Sequence, residues 1–147
     1  MTARKQALVT LGRLLRREGY SFVAVTPETH RRVNARSEGP AAPSLRDIFG
    51  WNRPFRPESL PEPMLALLRE AAAVDVDGPR LRSSVRFATL GGQLYAHSSF
   101  PTEAADAVFF GPDTYRFCAL LRRWAPAAAR AIDLGCGSGA GGISLAE

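Results

Sequence analysis

Residues 131–145, Ala-Ile-Asp-Leu-Gly-Cys-Gly-Ser-Gly-Ala-Gly-Gly-Ile-Ser-Leu, decide how this chain is expected to fold. The stretch begins as a short apolar run with one acid, Asp133, and breaks into glycines before an amphipathic segment starts. This order predicts a buried strand, a tight loop and the first turn of a helix. Gly135, Gly137 and Gly139 lack a Cβ, so the backbone can adopt positive φ and a ligand can lie directly on it. The sequence therefore predicts a ligand-binding loop.

The spacing Gly137-x-Gly139-x-x-Gly142 also matches the dinucleotide-binding fingerprint, in which a pyrophosphate lies on a helix N-terminus. Asp133 favours another ligand, because a carboxylate two residues before the first glycine repels phosphate. It suits a ligand with an ammonium group and ribose hydroxyls. S-adenosylmethionine has an amino group, a ribose and a sulfonium, and no phosphate. A nicotinamide cofactor is the alternative, and a glycine turn without a ligand is the third possibility.

The run apolar-apolar-Asp-Leu-Gly-x-Gly-x-Gly resembles the first motif of class I S-adenosylmethionine-dependent methyltransferases. This resemblance implies a Rossmann-like domain that binds the cofactor on the loop. Asp133 would orient the amino end of the cofactor, and Gly135, Gly137 and Gly139 would form the floor beneath it. Cys136 lies in the same loop, where a small side chain is needed, and is a further candidate for cofactor binding.

A second similarity lies upstream, in the run Phe-Phe-Gly-Pro-Asp-Thr of residues 109–114. Phe-x-x-Pro-x-Thr ahead of a glycine motif is similar to the "small domain" methyltransferases. These include glutamine methyltransferases of release factors and ribosomal proteins, and ribosomal-RNA base methyltransferases. In that family the segment lies over the methionine end of the cofactor, so Pro112, Asp113 and Thr114 become site candidates. For Asp113, an N-cap of the following helix is an equal alternative.

The front of the chain predicts a different module. Helices are expected near residues 8–17, from Thr26, from Ser44 to Gly50 and over residues 61–74. A hairpin of residues 85–90 and 93–97 follows, around a two-glycine primed turn. Helices followed by a hairpin are typical of winged-helix modules. We therefore expect an α+β winged-helix-like substrate or docking module over residues 1–100. The truncated start of an α/β Rossmann-like domain that binds S-adenosylmethionine would occupy residues 101–147.

Two further elements are predicted between these parts. Residues 103–109 are expected to form a short helix. A longer helix is expected to end at Pro126, with an apolar face made of residues at helical spacing: Phe117, Leu120, Leu121 and Trp124.

The polar residues of the helix before the hairpin limit what the front module could read. A winged-helix module would place this helix in a DNA groove, where Arg, Lys, Asn or Gln read base edges. Residues 61–74 offer only Glu62, Arg69 and Glu70 as polar side chains. The sequence therefore disfavours sequence-specific DNA binding. It favours a substrate-docking or structural module, and the family resemblance implies a macromolecular methyl acceptor, protein or RNA, as the partner.

Charge is distributed unevenly along the 147 residues. Residues 1–60 hold eleven Arg or Lys against five acids, whereas residues 61–147 hold eight against nine, for a net charge of +5. A basic front leaves room for a polyanion such as RNA, and an ordinary solvated arginine-rich surface is the equal alternative. No segment approaches eighteen apolar residues, so we expect a cytoplasmic protein without a membrane association. His30 is expected at the surface.

The two cysteines have no metal-ligand spacing, so the sequence indicates neither a zinc site nor a disulfide framework. Cys118 lies in a helical pattern and is expected to pack.

The family's remaining motifs do not occur in this sequence. An acid after the second strand and an Asn/Asp-Pro-Pro-Tyr-like segment after the fourth are both missing from the 147 residues. We therefore assign no catalytic residue and expect the chain as given to be inactive. Residues 131–134 should lack the neighbours that a parallel strand needs, and should pack poorly or pair with another copy. The competing classes are a nicotinamide-dependent oxidoreductase and a non-catalytic RNA- or protein-binding module.

Overall fold

A computed structural model describes residues 1–36, 42–126 and 129–146. The described chain is α+β, with helices at both ends and two antiparallel hairpins between them. A 3₁₀ turn covers Pro57–Ser59. The helices and strands, in chain order, are α1 (Ala3–Arg17), α2 (Pro27–Ala35), α3 (Leu45–Phe49), α4 (Glu62–Glu70), β1 (Val74–Asp77), β2 (Arg80–Ser83), β3 (Val85–Leu90), β4 (Gln93–Ser98), α5 (Pro112–Trp124) and α6 (Ala140–Ala146).

The first three helices begin or end where the sequence predicts. Gly19 follows α1 in the left-handed region, at φ 69°. The Thr26 hydroxyl accepts a hydrogen bond from the Thr29 backbone at 3.1 Å. Ser44 and Asp47 form the predicted capping box, with each side chain accepting from the other residue's backbone N–H. These caps satisfy donors that the first helical turn leaves free, which is why such residues mark helix starts.

The region after α4 differs from the prediction. The helix was expected to reach about residue 74, but it ends at Glu70, and Ala72 adopts a φ of 51°. β1 and β2 then form a hairpin around Gly78, where no strand was predicted. Phe55 holds this hairpin to the body of the protein, because its N–H and C=O both bond to the backbone of Leu81 at 2.8 Å.

The hairpin of β3 and β4 confirms the prediction. Its register pairs Leu90 with Gln93, and the two residues between them, Gly91 and Gly92, have φ of 58° and 76°. Positive φ at both central positions is the type I′ arrangement, whose twist matches that of the flanking strands.

The two faces of β3 pack into different apolar clusters. Phe87 belongs to a large cluster with the inner faces of α1, α3 and α4. Ala88, the next residue, points the other way, as the period of a strand requires. It belongs to a smaller cluster of six residues, each from a different segment: Ala24, Ala88, Tyr95, Phe110, Cys118 and Ala140. β3 is therefore the common layer between the front of the chain and its back, and Cys118 is buried as predicted.

Predictions around α5 were partly wrong. Residues 103–109 contain no helix. The apolar face of α5 does not face the core, since Phe117, Leu120 and Trp124 are 49%, 56% and 68% exposed. α5 packs through Cys118 on its other side, because the β3–β4 hairpin lies there.

Residues 131–134 form no strand, and this corrects the prediction of a buried one. Ile132 and Leu134 are 86% and 90% exposed. They line an apolar hollow of about 440 Å³ together with Phe117 and Leu145, on the outer side of α5 and α6. The structure thus agrees with the expectation that this segment lacks sheet partners within the described chain.

His30 was predicted at the surface, and this was wrong. It is 8% exposed because its ring packs against Phe100, at 4.9 Å between centroids, and against Trp51. Within the described ranges, no helix is both long and apolar enough to cross a lipid bilayer.

Candidate functional site

The glycine loop adopts the backbone that its sequence predicts. Gly135, Gly137 and Gly139 have φ of 69°, 52° and 77°. A Cβ added to Gly135 would meet no atom within 4 Å, and one added to Gly137 would approach only the Gly135 carbonyl, at 3.9 Å. The backbone conformation therefore requires glycine here, while the space above the loop is open to a ligand. α6 begins directly after the loop, as predicted.

This loop forms one side of a cavity of about 480 Å³, which we call the glycine-loop cavity. Its volume lies within the range of roughly 300–1,000 Å³ that small-molecule sites occupy. Six of the predicted residues line it: Asp113, Thr114, Asp133, Gly135, Cys136 and Gly137. The structure thus brings together two segments that the sequence analysis marked separately.

Two other candidates lie outside the lining of this cavity. Pro112 is the first residue of α5, where its fixed φ suits a helix start. Gly139 contacts the side of α6, since a Cβ there would lie 3.7 Å from Ile143.

Aromatic residues at the cavity were missed by the sequence analysis. Phe109 and Phe117 line it on the α5 side. Phe117 also explains a glycine in the first turn of α6: a Cβ on Gly141 would lie 3.0 Å from its ring and 3.1 Å from the Asp133 carboxylate. The doubled glycine at 141–142 was the available signal, because two helix-breaking residues inside a helix indicate a close approach.

Asp133 is held by the helix that follows the loop. Its Oδ2 accepts a hydrogen bond from the Gly142 backbone at 2.9 Å, in the first turn of α6. A carboxylate is favourable there because the first turn leaves N–H groups free and carries a positive partial charge. The carboxylate is therefore fixed in direction while it lines the cavity, and it would attract a cationic group and repel phosphate.

The start of α5 excludes one of the two interpretations of Asp113. The N-cap of α5 is Gly111, so the N-cap prediction for Asp113 was wrong. Asp113 forms an exposed ion pair with Arg116 at 3.6 Å and also lines the glycine-loop cavity. Thr114 accepts a hydrogen bond from the Gly111 N–H at 3.3 Å, which fixes the turn where α5 meets the cavity.

A buried polar cluster that was not predicted from the sequence lies apart from this cavity. Arg86 is fully buried, with its Nε donating to the Gly50 carbonyl at 2.9 Å and its guanidinium 4.6 Å from the centre of the Phe100 ring. Burial lowers the pKa of Arg86 to about 10. Burial and then the charge of Arg86 lower the pKa of His97 to about 3, and the same causes lower that of His30 to about 4. Both histidines are therefore neutral at pH 7.

Metal binding finds no support in the described residues, where no group of three His, Cys, Asp or Glu side chains could hold an ion. Comparison with family profiles, with curated proteins and with solved structures finds no match to this chain. The candidate site therefore depends on the geometry of the glycine-loop cavity.

Proposed function

We propose that this chain binds S-adenosylmethionine in the glycine-loop cavity and belongs to a methyltransferase that acts on a nitrogen of a macromolecule. One observation carries the proposal. Asp133 and the positive-φ glycines Gly135 and Gly137 line the same cavity, which has the volume of a small-molecule site. The resemblance of residues 131–139 to the first methyltransferase motif supports the same ligand.

The residues of the cavity fit the chemical groups of this cofactor. Gly135 and Gly137 leave open space above the loop, where a Cβ would stand in the way of a ligand. Asp133 would hold the amino end, and Thr114 and Phe117 close the opposite side. S-adenosylmethionine supplies an activated methyl group when bound. The chain's own contribution would be to orient the cofactor so that an acceptor can approach in line, because positioning alone removes much of a transfer barrier.

The remaining parts of the proposal concern architecture. Residues 1–100 would be a winged-helix-like docking module, and residues 101–147 the start of a Rossmann-like domain. The glycine loop directly before α6 supports the second assignment, and the order of helices before the β3–β4 hairpin supports the first.

Equilibrium dialysis against radiolabelled S-adenosylmethionine, with NAD as the parallel ligand, tests the proposal. We expect binding of S-adenosylmethionine and none of NAD, because the Asp133 carboxylate would face the pyrophosphate. Binding of NAD alone would support a nicotinamide-dependent oxidoreductase instead. Binding of neither ligand would leave the chain as a non-catalytic module.

A further inference from the structure

The first helix has an unusual charge composition. α1 carries five cations and no acid: Arg4, Lys5, Arg13, Arg16 and Arg17. All five are exposed, and none of them lies within 4 Å of a carboxylate in the described parts of the chain. The arginines of α2 differ, because Arg31 and Arg32 both pair with Glu28, at 2.8 and 2.6 Å. α1 therefore presents positive charge that the protein itself does not neutralise.

Two of these cations, Arg13 and Arg16, border a groove that leads to the glycine loop. The groove, which we call the α1 groove, has a volume of about 440 Å³ and lies between α1, the β3–β4 hairpin and the start of α6. Arg13 and Arg16 line one side, and Arg16 also donates to the Gln93 side chain at 3.4 Å. Apolar residues such as Leu8 and Leu94 line the rest.

Ser138 connects the α1 groove with the candidate cofactor site. It lines both the α1 groove and the glycine-loop cavity. A group bound in the groove would therefore lie beside the cavity in which we propose that S-adenosylmethionine binds. This juxtaposition is the one that a methyl acceptor requires, since a transfer needs donor and acceptor next to each other.

We propose that the α1 groove binds single-stranded RNA, with Arg13 and Arg16 on its phosphates and a base in the apolar part of the groove. Guanidinium groups suit phosphate because they donate two parallel hydrogen bonds. An apolar floor beside cations suits a nucleotide better than an acidic peptide, because a base has an apolar face next to its charged backbone. Enzymes that modify a base take it out of the stack into a pocket. The assignment of this base as the methyl acceptor rests on the proposed function. The binding of RNA in the α1 groove does not depend on it.

Fluorescence anisotropy with a labelled, mixed-sequence single-stranded RNA tests the proposal over a series of salt concentrations. The variant Arg13→Gln/Arg16→Gln removes two charges from the groove. Arg31→Gln/Arg32→Gln is the matched control, since it also removes two charges, but from α2, outside the groove, where both arginines pair with Glu28. We expect the groove variant to bind RNA at least tenfold more weakly at low salt. Its slope of log K against log salt should be smaller by about 1.4, from roughly 0.7 per lost phosphate contact.

The outcomes separate this proposal from the proposed function. Equal loss of affinity in the two variants, or no RNA binding by the wild-type chain, would overturn the RNA groove. Displacement of the RNA by polyglutamate, added at the same concentration of negative charges, would also overturn it and would indicate an acidic protein partner. S-adenosylmethionine dialysis should give the same affinity for the wild type and the Arg13→Gln/Arg16→Gln variant. Arginine-dependent RNA binding without cofactor binding would support the groove and contradict the methyltransferase.

Discussion

Replacing Gly137 by valine is the sharpest test of the glycine-loop cavity, because a matched control exists in the same chain. Gly137 and Gly78 both have positive φ of similar size, 52° and 58°. An added Cβ would meet no atom within 4 Å at Gly78 and only the Gly135 carbonyl, at 3.9 Å, at Gly137. A β-branched residue at either position suffers the same kind of strain, about 1–3 kcal/mol.

Any difference in affinity between the two variants therefore reports contact of residue 137 with the ligand. Valine at position 137 would place three carbon atoms in the space above the loop. At about 0.8 kcal/mol for each CH₂-sized group of lost contact, the binding free energy should weaken by about 2.4 kcal/mol. This corresponds to a roughly fiftyfold loss of affinity. Gly78→Val should leave the affinity unchanged, because the β1–β2 turn takes no part in the cavity.

Two measurements on each variant decide the matter. Urea unfolding gives the stability, which we expect to fall by a similar small amount in both. Equilibrium dialysis gives the affinity for S-adenosylmethionine. Near-normal binding by Gly137→Val, or an equal loss of binding in Gly78→Val, would refute the assignment of the loop as the floor of the site.

Three other predictions follow from the same structure. Asp133→Asn keeps an acceptor for the first turn of α6 but loses the charge, so stability should fall by no more than about 1 kcal/mol while S-adenosylmethionine binds about tenfold more weakly in dialysis. The pKa values of His30 and His97 are lowered in the folded chain, so between about pH 6 and 4 protons bind these histidines mainly in the unfolded chain. The free energy of unfolding should therefore decrease as the pH is lowered through this range, by up to about 2.7 kcal/mol per pH unit for the two histidines together. His97→Phe should halve that slope in urea titrations, and an unchanged slope would contradict the burial of this ring. Cys136 is exposed and Cys118 buried, so a thiol reagent should label only Cys136 in the native chain, and S-adenosylmethionine should slow that reaction.

Local signals in the sequence predicted most of the front half. The capping residues Thr26 and Ser44 and the Gly91-Gly92 turn act through hydrogen bonds and φ values within a few residues, so they can be recognised without the rest of the fold. The glycine loop is of the same kind, and its three positive φ values were predictable from composition alone.

Features that depend on distant partners were not predictable in this way. The apolar face of α5 was correct as a pattern, but a pattern does not say which element lies opposite, and the hairpin packs against Cys118 instead. The burial of His30 depends on Phe100, seventy residues away. The same holds for the β1–β2 hairpin, which needs the Phe55 backbone, and for Phe109 and Phe117 at the cavity.

The position of β3 between two apolar clusters has a consequence for synthesis on the ribosome. Phe87 finds all its partners in residues that emerge before β4 is complete, whereas Ala88 and Tyr95 also pack with Phe110, Cys118 and Ala140. At 5–20 residues per second, the 42 residues from Ser98 to Ala140 take roughly 2–8 seconds to emerge. For that interval one face of the hairpin remains in contact with water, or with a chaperone, while the other is already packed.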